Sequence, residues 1–286
     1  MTSLWGRRSV WIFFAIGFGL PWLGWTINAF GGTQPPLRTV LFYMGDFMSV
    51  AGLVATWVAG GRPALRALIG RLFQGAGIGW WLYALLLPVA WVLLSRIGFG
   101  IRHGGLGAFH WQGLAAASLW LGTLRAVTTG PIGEEFGWRG FLLPRLLTRY
   151  RPLAASLILG LIWGFWHYAL YVKTVFASLD TAFYFVASVL CFTVLMTILF
   201  HRTRGNILLA MLMHWAVNVA PGIVDSAIVG GHGASPEALR GYDLGALLVV
   251  TLIVGTLAGW RRLGAPADYD VARVFPAEAM DADRPR

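Results

Sequence analysis

Apolar residues fill most of this chain in long blocks that end at Gly, Pro or charged residues. The blocks are about 17–25 residues long, the length at which an α-helix crosses a bilayer. They predict eight transmembrane helices, at approximately 10–30, 39–59, 80–97, 113–130, 153–172, 181–200, 206–224 and 244–261. The pattern therefore predicts an all-α, polytopic membrane protein.

Two stretches depart from this pattern. Between the second and third spans, apolar residues recur at helical spacing among arginines, which predicts an amphipathic helix on the membrane surface. The apolar positions are Leu65, Leu68, Ile69, Leu72 and Phe73, and the arginines are Arg62, Arg66 and Arg71. From Leu263 onward the chain turns polar and acidic. We expect one transmembrane domain over residues 1–262 and a disordered cytoplasmic tail over residues 263–286.

Composition excludes an ordinary soluble domain. The chain is 57% hydrophobic and 12% charged, with a mean hydropathy of +0.68, whereas soluble domains carry roughly 25% charged residues. A net charge of +10 is typical of nucleic-acid binding in soluble proteins, but the 22 basic residues are scattered at the ends of the apolar blocks. We therefore expect no nucleic-acid partner. A lone cysteine, Cys191, excludes a disulfide within the chain and a Cys-based zinc cluster.

The distribution of Lys and Arg predicts the orientation of the chain, because short cytoplasmic loops collect positive charge. If the N-terminus is cytoplasmic, fifteen basic residues lie on the inner side and five on the outer side, with Arg125 and Arg139 left aside. The bias predicts cytoplasmic N- and C-termini and a multi-pass protein of the cytoplasmic membrane.

The first polar motif holds two adjacent carboxylates. Glu135 and Arg139 are four residues apart with the acid first, the order that favours an ion pair on a helix. Glu134 lies about 100° around the helix and lacks that partner. Neighbouring carboxylates thereby acquire different environments, as expected of a catalytic base and its supporting residue. Taken alone, the motif is also compatible with a salt bridge at the cytoplasmic end of a helix.

Two further motifs place histidines within apolar spans. His167 follows Trp163 by four residues in the fifth span, about 21 Å along the helix from Leu153. His214 and Asn218 lie one turn apart in the seventh span, and both can donate hydrogen bonds without a permanent charge. Each motif alone is also compatible with hydrogen bonding between helices. Together the three motifs supply a base, a group that orients water and two oxyanion donors, the set needed for amide hydrolysis by water.

In this order on successive helices, Glu-Glu-x-x-x-Arg, aromatic-x-x-x-His and His-x-x-x-Asn resemble the CPBP family of intramembrane proteases. That family groups CAAX prenyl endopeptidases of the Ras-converting type with bacteriocin-processing and bacteriocin-immunity proteins. The resemblance runs from about Leu119 to Asn218. One position departs from it, because the second motif usually begins with Phe and here begins with Trp163. We expect Trp163 to keep the apolar aromatic role.

The resemblance implies a glutamate-dependent endopeptidase that needs no cofactor. Glu134 with His167 would activate a water, His214 and Asn218 would form the oxyanion hole, and Glu135 with Arg139 would shape the site by pairing. The expected partners are the lipid bilayer and a peptide or protein substrate in or at the membrane. Nothing in the chain indicates a prenyl-binding pocket, so prenylated substrates are not carried over.

Three alternatives remain open. Glu134, His167 and His214 would supply the three ligands of a catalytic zinc, although no His-Glu-x-x-His motif is present. A non-catalytic immunity or scaffold protein would bind a peptide in the same cavity. A transporter would use Glu134 and Glu135 as a proton relay. The hydrolytic interpretation predicts that Glu134, His167, His214 and Asn218 converge on one cavity that opens towards the cytoplasmic half; Asp46 and Arg125 receive no role.

Overall fold

The computed structural model describes residues 8–105, 108–109, 111–229, 234–267 and 269–271. It is almost entirely helical, which confirms the predicted fold class. The α-helices are α1 Arg8–Phe30, α2 Leu37–Phe42, α3 Phe47–Gly70, α4 Ile78–His103, α5 Trp111–Leu114, α6 Ala117–Val127, α7 Gly133–Glu135, α8 Leu143–Leu147, α9 Pro152–Trp166, α10 Tyr168–Tyr171, α11 Leu179–Arg202, α12 Ile207–Ala227 and α13 Pro236–Ala258. Short 3-10 turns cover Tyr43–Asp46, Arg71–Phe73 and Val175–Ala177, and π-helical segments cover Thr128–Ile132 and Phe136–Leu142. Strand β1, Ala108–Phe109, pairs antiparallel with β2, Ile228–Val229.

Six helical stretches of the described residues are long and apolar enough to cross a membrane. They are Arg8–Phe30, Leu37–Phe73, Ile78–His103, Leu179–Arg202, Ile207–Ala227 and Pro236–Ala258. The chain is therefore a multi-pass membrane protein. The predicted count of eight spans is not confirmed, because the fourth and fifth predicted spans are interrupted.

The interruptions have local causes. Span 113–130 divides into α5 and α6, and the chain then kinks at Thr129 and Gly130, where Gly130 takes a φ of 124°. Pro131 follows directly and has no backbone N–H to continue the helix. Span 153–172 breaks at His167, between α9 and α10. The His167 ring donates from Nδ1 to the carbonyl of Trp163 at 2.9 Å, a side-chain bond to the backbone one turn earlier.

The predicted surface helix is helical and keeps Arg62 and Arg66 exposed, but Arg71 departs from the prediction. Residues 65–70 continue α3 beyond a kink at Gly61, and the 3-10 turn Arg71–Phe73 completes the segment. Arg71 is buried rather than exposed at a membrane surface. Its guanidinium donates to the carbonyls of Gly205, Gly140 and Arg139 at 2.9, 3.2 and 2.8 Å. The segment is therefore bonded to the interior of the protein.

Side-chain caps fix the starts of three long helices. The Asn206 side chain accepts from the N–H of Leu209 at 2.8 Å at the start of α12. Ser178 accepts from Thr181 at the start of α11, and Ser235 accepts from Ala238 at the start of α13. Such oxygens satisfy N–H groups that have no partner within the helix.

Residues 133–147, which we call the central segment, form the centre of the bundle and are enclosed by α1, α3, α9 and α12. Trp138, Phe141 and Leu142 are fully buried, as are Leu143 and Leu146. Phe13 of α1 stacks on Phe141 with ring centroids 4.8 Å apart. A segment buried on all sides is held rigidly by its packing, which is what positions the two carboxylates at its start.

The first part of the predicted tail packs against the helices. Leu263 is fully buried, and its carbonyl accepts from His201 Nδ1 at 2.9 Å. The ring of Tyr269 lies against that of His201 with centroids 4.9 Å apart. The remainder of the predicted disordered region, 268 and 272–286, lies outside the described residues.

Candidate active site

A cavity of about 460 Å³ lies at the start of the central segment. Its polar lining comes from separate elements that meet there: Asp46, Thr129, Glu134, His167, Ser188, His214 and Asn218, together with Tyr43 and Tyr171. The four residues that the three motifs single out therefore line one cavity, which we call the catalytic cavity. Glu135 and Arg139 do not line it and lie behind it, fully buried.

Two tryptophans hold one oxygen of Glu134. The indole N–H of Trp163 donates to Oε2 at 2.7 Å, and that of Trp138 donates to the same atom at 2.9 Å. A carboxylate oxygen with two neutral donors is fixed in place without being neutralised. Oε1 is left to face the cavity beside Gly130.

Gly130 marks the point where the polar groups meet. A Cβ at this position would lie 3.2 Å from His214 Nε2, 3.3 Å from Asn218 Nδ2 and 3.3 Å from Glu134 Oε1. The positive φ of Gly130 is also a conformation that side chains disfavour. Glycine therefore satisfies two demands here, since it forms the kink and leaves the three polar atoms open to a reacting group.

Glu135 joins the first motif to the third. Its Oε1 accepts from Arg139 at 2.9 Å, which is the predicted ion pair, and also from His214 Nδ1 at 2.7 Å. The Arg139 guanidinium lies 4.5 Å from the ring centroid of Trp163, a cation–π contact. Because an ionised carboxylate only accepts, Nδ1 of His214 carries a hydrogen and Nε2 faces the cavity.

The tautomer of His167 follows by the same reasoning. Nδ1 lies 2.9 Å from the carbonyl of Trp163 and must donate to it. In the neutral ring Nε2 is then an acceptor. Tyr171 stacks on the imidazole with an interplanar angle of 6° and fixes its orientation. His167 thus offers a lone pair that can orient a water.

Burial increases with depth through the site. Asn218 is exposed and His167 is half-buried, whereas Glu134 and His214 are only 6% and 4% exposed. Glu135 and Arg139, behind them, are fully buried. The residues predicted to be catalytic therefore lie at the floor of a cavity whose outer residues are exposed.

Asp46 and Arg125, which the sequence left without a role, line different cavities. Asp46 packs so closely against Gly133 that a Cβ there would lie 2.0 Å from its Oδ1, and it lines the catalytic cavity. Arg125 is exposed and lines a neighbouring cavity of about 430 Å³ with Arg38 and Lys173. The two cavities share Trp25, Phe42, Tyr43 and Leu170.

Sequence reasoning missed the two indole donors and the bond between His214 and Glu135. Trp138 follows Glu134 by four residues, the same spacing that predicted the Glu135–Arg139 pair, so the signal was present. Trp163 was assigned an apolar role, but its N–H binds Glu134. That contact is one that the usual Phe of the second motif cannot make.

Within the part of the chain that the structure describes, no group of three or more His, Cys, Asp or Glu side chains is arranged to hold a metal ion. Glu134 Oε1 and His214 Nε2, two of the donors proposed for zinc, meet beside Gly130, but together with His167 they do not form such a group. Glu134 Oε2 and His214 Nδ1 are engaged with Trp163 and Glu135, respectively.

Comparisons with known proteins match the same region. Residues 116–220 match the family model described as Type II CAAX prenyl endopeptidase Rce1-like. A curated relative, CAAX prenyl protease 2 of Methanococcus maripaludis, is 28% identical over 144 residues, which cover 47% of this chain and 52% of the relative. The chain thus aligns with about half the length of that relative. All three motifs lie within 116–220.

Proposed function

We propose that this chain, whose residues 116–220 match the CAAX prenyl endopeptidase family model, is an intramembrane endopeptidase that hydrolyses a peptide bond with an activated water. One observation carries the proposal. Glu134 Oε1, His214 Nε2 and Asn218 Nδ2 surround one face of Gly130, each 3.2–3.3 Å from the position of a Cβ. A base and two nitrogen groups around one open point match the needs of carbonyl addition.

In the proposed reaction, a water lies between Glu134 and His167. The water oxygen forms a bond to the carbonyl carbon of the substrate, and one of its protons passes to Glu134 Oε1. Nε2 of His167 orients the water by accepting a hydrogen bond from its second O–H, which stays on the oxygen. The C–N bond then breaks, and Glu134 delivers the proton to the leaving amine. The products are a carboxyl terminus and an amino terminus, which balances the hydrolysis.

The developing oxyanion is assigned to His214 and Asn218. Nδ1 of His214 donates to Glu135, so Nε2 can donate as well only when the ring is an imidazolium. The Glu135 carboxylate holds the ring in place through Nδ1 at 2.7 Å. Asn218 supplies a neutral donor from the exposed side of the cavity. In the proposed reaction, Glu135 and Arg139 thus act by positioning His214.

The substrate is proposed at the level of chemistry alone: a peptide bond in a membrane-associated peptide or protein. The relative from Methanococcus maripaludis is named a CAAX prenyl protease. The catalytic cavity has a mixed aromatic and polar lining, which fits an extended peptide. We make no assignment of a prenyl group to the substrate of this chain.

The test compares peptide termini in membranes of cells that produce the wild type, Glu134→Gln or Glu237→Gln. Glu237→Gln is the matched control, because Glu237 is exposed at the start of α13 and far from the cavity. We expect new termini, identified by mass spectrometry, with the wild type and the control but not with Glu134→Gln. Termini that persist in Glu134→Gln membranes would contradict the glutamate mechanism and favour a scaffold or transporter.

A second arm separates the zinc alternative. Purified protein in liposomes is treated exhaustively with a chelator and then assayed on a peptide that contains a site found in the first arm. The proposal predicts retained activity. Loss of activity that Zn²⁺ specifically restores would overturn the metal-free mechanism.

A further inference from the structure

The two ends of the helical bundle differ in basic residues. One end, which we call the basic end, contains the start of α1, the connection after α3, the turns at 148–151 and 202–206, and the segment after α13. Eleven basic residues of the described chain belong to it: Arg8, Arg62, Arg66, Arg71, Arg145, Arg149, Arg151, Arg202, Arg204, Arg261 and Arg262. Six belong to the opposite end: Arg38, Arg96, Arg102, Arg125, Lys173 and Arg240. The opposite end also holds the acids that pair with Arg96 and Arg240.

The catalytic cavity lies towards the opposite end. Its lining includes Trp25 near the end of α1, Tyr43 before α3, Tyr171 at the end of α10 and Phe185 near the start of α11. Each of these positions is the part of its helix farther from the basic end. No lining residue comes from the connections that form the basic end.

The floor of the cavity closes it from the basic end. Below Glu134 lie Trp138, Phe141 and Leu142, all fully buried. The fully buried Leu143 and Leu146 continue this layer towards Arg149. Exposure rises in the other direction, from Glu134 through His167 to Asn218. The buried layer therefore separates the catalytic cavity from the basic end, and the more exposed residues of the site lie on its other side.

Short loops rich in Lys and Arg stay in the cytoplasm. We infer that the catalytic cavity opens on the non-cytoplasmic face of the membrane and receives peptide segments that are presented there, such as outer segments of membrane proteins or exported peptides. The expectation of a cavity opening towards the cytoplasmic half is thereby reversed. The choice of substrate rests on the proposed function, whereas the orientation does not.

Cysteine labelling tests the orientation directly. Cys191, the single cysteine of the sequence, is buried and is replaced by Ser. Thr174→Cys then places a thiol at an exposed position of the cavity that adjoins the catalytic one. Gly75→Cys places one in the connection after α3, where the residue is exposed and a side chain meets no neighbour. Neither substitution removes a basic residue or a catalytic group.

In intact spheroplasts treated with a membrane-impermeant maleimide, we expect Thr174→Cys to be labelled and Gly75→Cys to be labelled only after permeabilisation. The reverse pattern, or equal labelling of both variants before permeabilisation, would overturn the orientation. Size-exclusion profiles that match the wild type ensure that labelling reports folded protein.

The substrate part has its own readout. Cleavage sites that disappear in Glu134→Gln membranes should map to non-cytoplasmic segments of their proteins. Sites in cytoplasmic segments would overturn the inferred access route. If no site disappears, the proposed function fails together with the substrate part, while the labelling result still decides the orientation.

Discussion

Glu134 and Glu135 are adjacent and buried, but they are held by groups of different charge. Glu135 binds a guanidinium and an imidazole, whereas Glu134 binds two neutral indole N–H groups. The first arrangement stabilises a fixed negative charge. The second orients a carboxylate and leaves its free oxygen able to accept a proton.

We therefore expect Trp163 to position Glu134 in the proposed reaction. Trp163→Phe keeps an aromatic ring beside Arg139 but removes the hydrogen bond to Oε2. A bond to a charged group contributes about 1.5–3 kcal/mol, so we expect kcat to fall by about tenfold or more. KM should change little, since the ring does not itself bind the leaving group.

Steady-state kinetics on an identified peptide measures this effect, with Trp57→Phe as the control because Trp57 is exposed on α3. Equal kcat values for Trp163→Phe and the wild type would show that the indole N–H has no positioning role. A rise in KM with an unchanged kcat would instead show that Trp163 contributes to substrate binding.

Gly130 combines a backbone requirement with a spatial one. Gly130→Ala inserts a methyl group between Glu134, His214 and Asn218 and strains a backbone with φ of 124°. We expect activity to fall by about 100-fold, because small displacements of catalytic groups have effects of that size. The thermal unfolding temperature should fall as well.

Gly122→Ala is the matched control for this variant. Gly122 lies in α6, and a Cβ there meets no neighbouring atom within 4 Å. Alanine in a helix interior is favoured by about 0.5–1 kcal/mol over glycine. Gly122→Ala should therefore retain activity and stability, and similar behaviour of the two variants would contradict the spatial argument.

At the scale of elements, the sequence predicted the long apolar helices better than the segments that carry the chemistry. Hydropathy identifies a span by its average, so the blocks of α1, α4, α11, α12 and α13 were readily placed. The kink at Gly130 and the break at His167 depend on a single backbone angle and a single side-chain bond. Neither is visible in an average.

Arg71 shows the same limit from the other direction. A helical repeat of apolar residues among arginines favours a surface helix, and the pattern contains no signal for partners about seventy residues away. Those partners are the carbonyls of Arg139 and Gly140, one helical turn after Glu135. Arg71 thus connects the end of α3 to the central segment.

Replacing Arg71 should destabilise the protein more than replacing a neighbouring arginine. In Arg71→Met the three carbonyls lose a buried donor, at about 1–3 kcal/mol for each one left without a partner. Arg66→Met is the control, because Arg66 is exposed on the same helix. Thermal unfolding in detergent should show a clear fall for Arg71→Met alone. Equal unfolding temperatures would mean that Arg71 does not support the central segment.

At the scale of the whole molecule, the sequence predicted which polar residues converge on one cavity, whereas the position of that cavity relative to the basic loops follows from the structure. Glu134 was placed at the cytoplasmic end of a span, yet the central segment continues through buried residues to Leu146 before it reaches Arg149. His167 lies about 21 Å along its helix from Leu153, which is already closer to the end opposite the basic loops. Under the inferred orientation, the end of span 113–130 that bears Glu134 lies away from the cytoplasmic loops.

The end of the bundle opposite the basic end contains an ion cluster. Arg96 of α4 binds Asp225 of α12 through Nε at 2.6 Å and Nη2 at 3.0 Å. Its Nη1 binds Asp243 of α13 at 2.6 Å. The Arg96 side chain is 6% exposed, so α4, α12 and α13 meet at one buried cation.

Arg96→Leu should therefore loosen this end of the bundle. The variant leaves two carboxylates close together without a cation, and we expect the free energy of unfolding to fall by roughly 1–3 kcal/mol, since both acids retain contact with solvent. Arg102→Leu is the control, because Arg102 is exposed at the end of the same helix. Hydrogen exchange should increase at the end of α12 and the start of α13 only in Arg96→Leu. The double variant Arg96→Leu/Asp225→Asn should regain part of the stability, because one uncompensated charge is removed. A total loss in the double variant equal to the sum of the two single-variant losses would show that the two residues are not coupled.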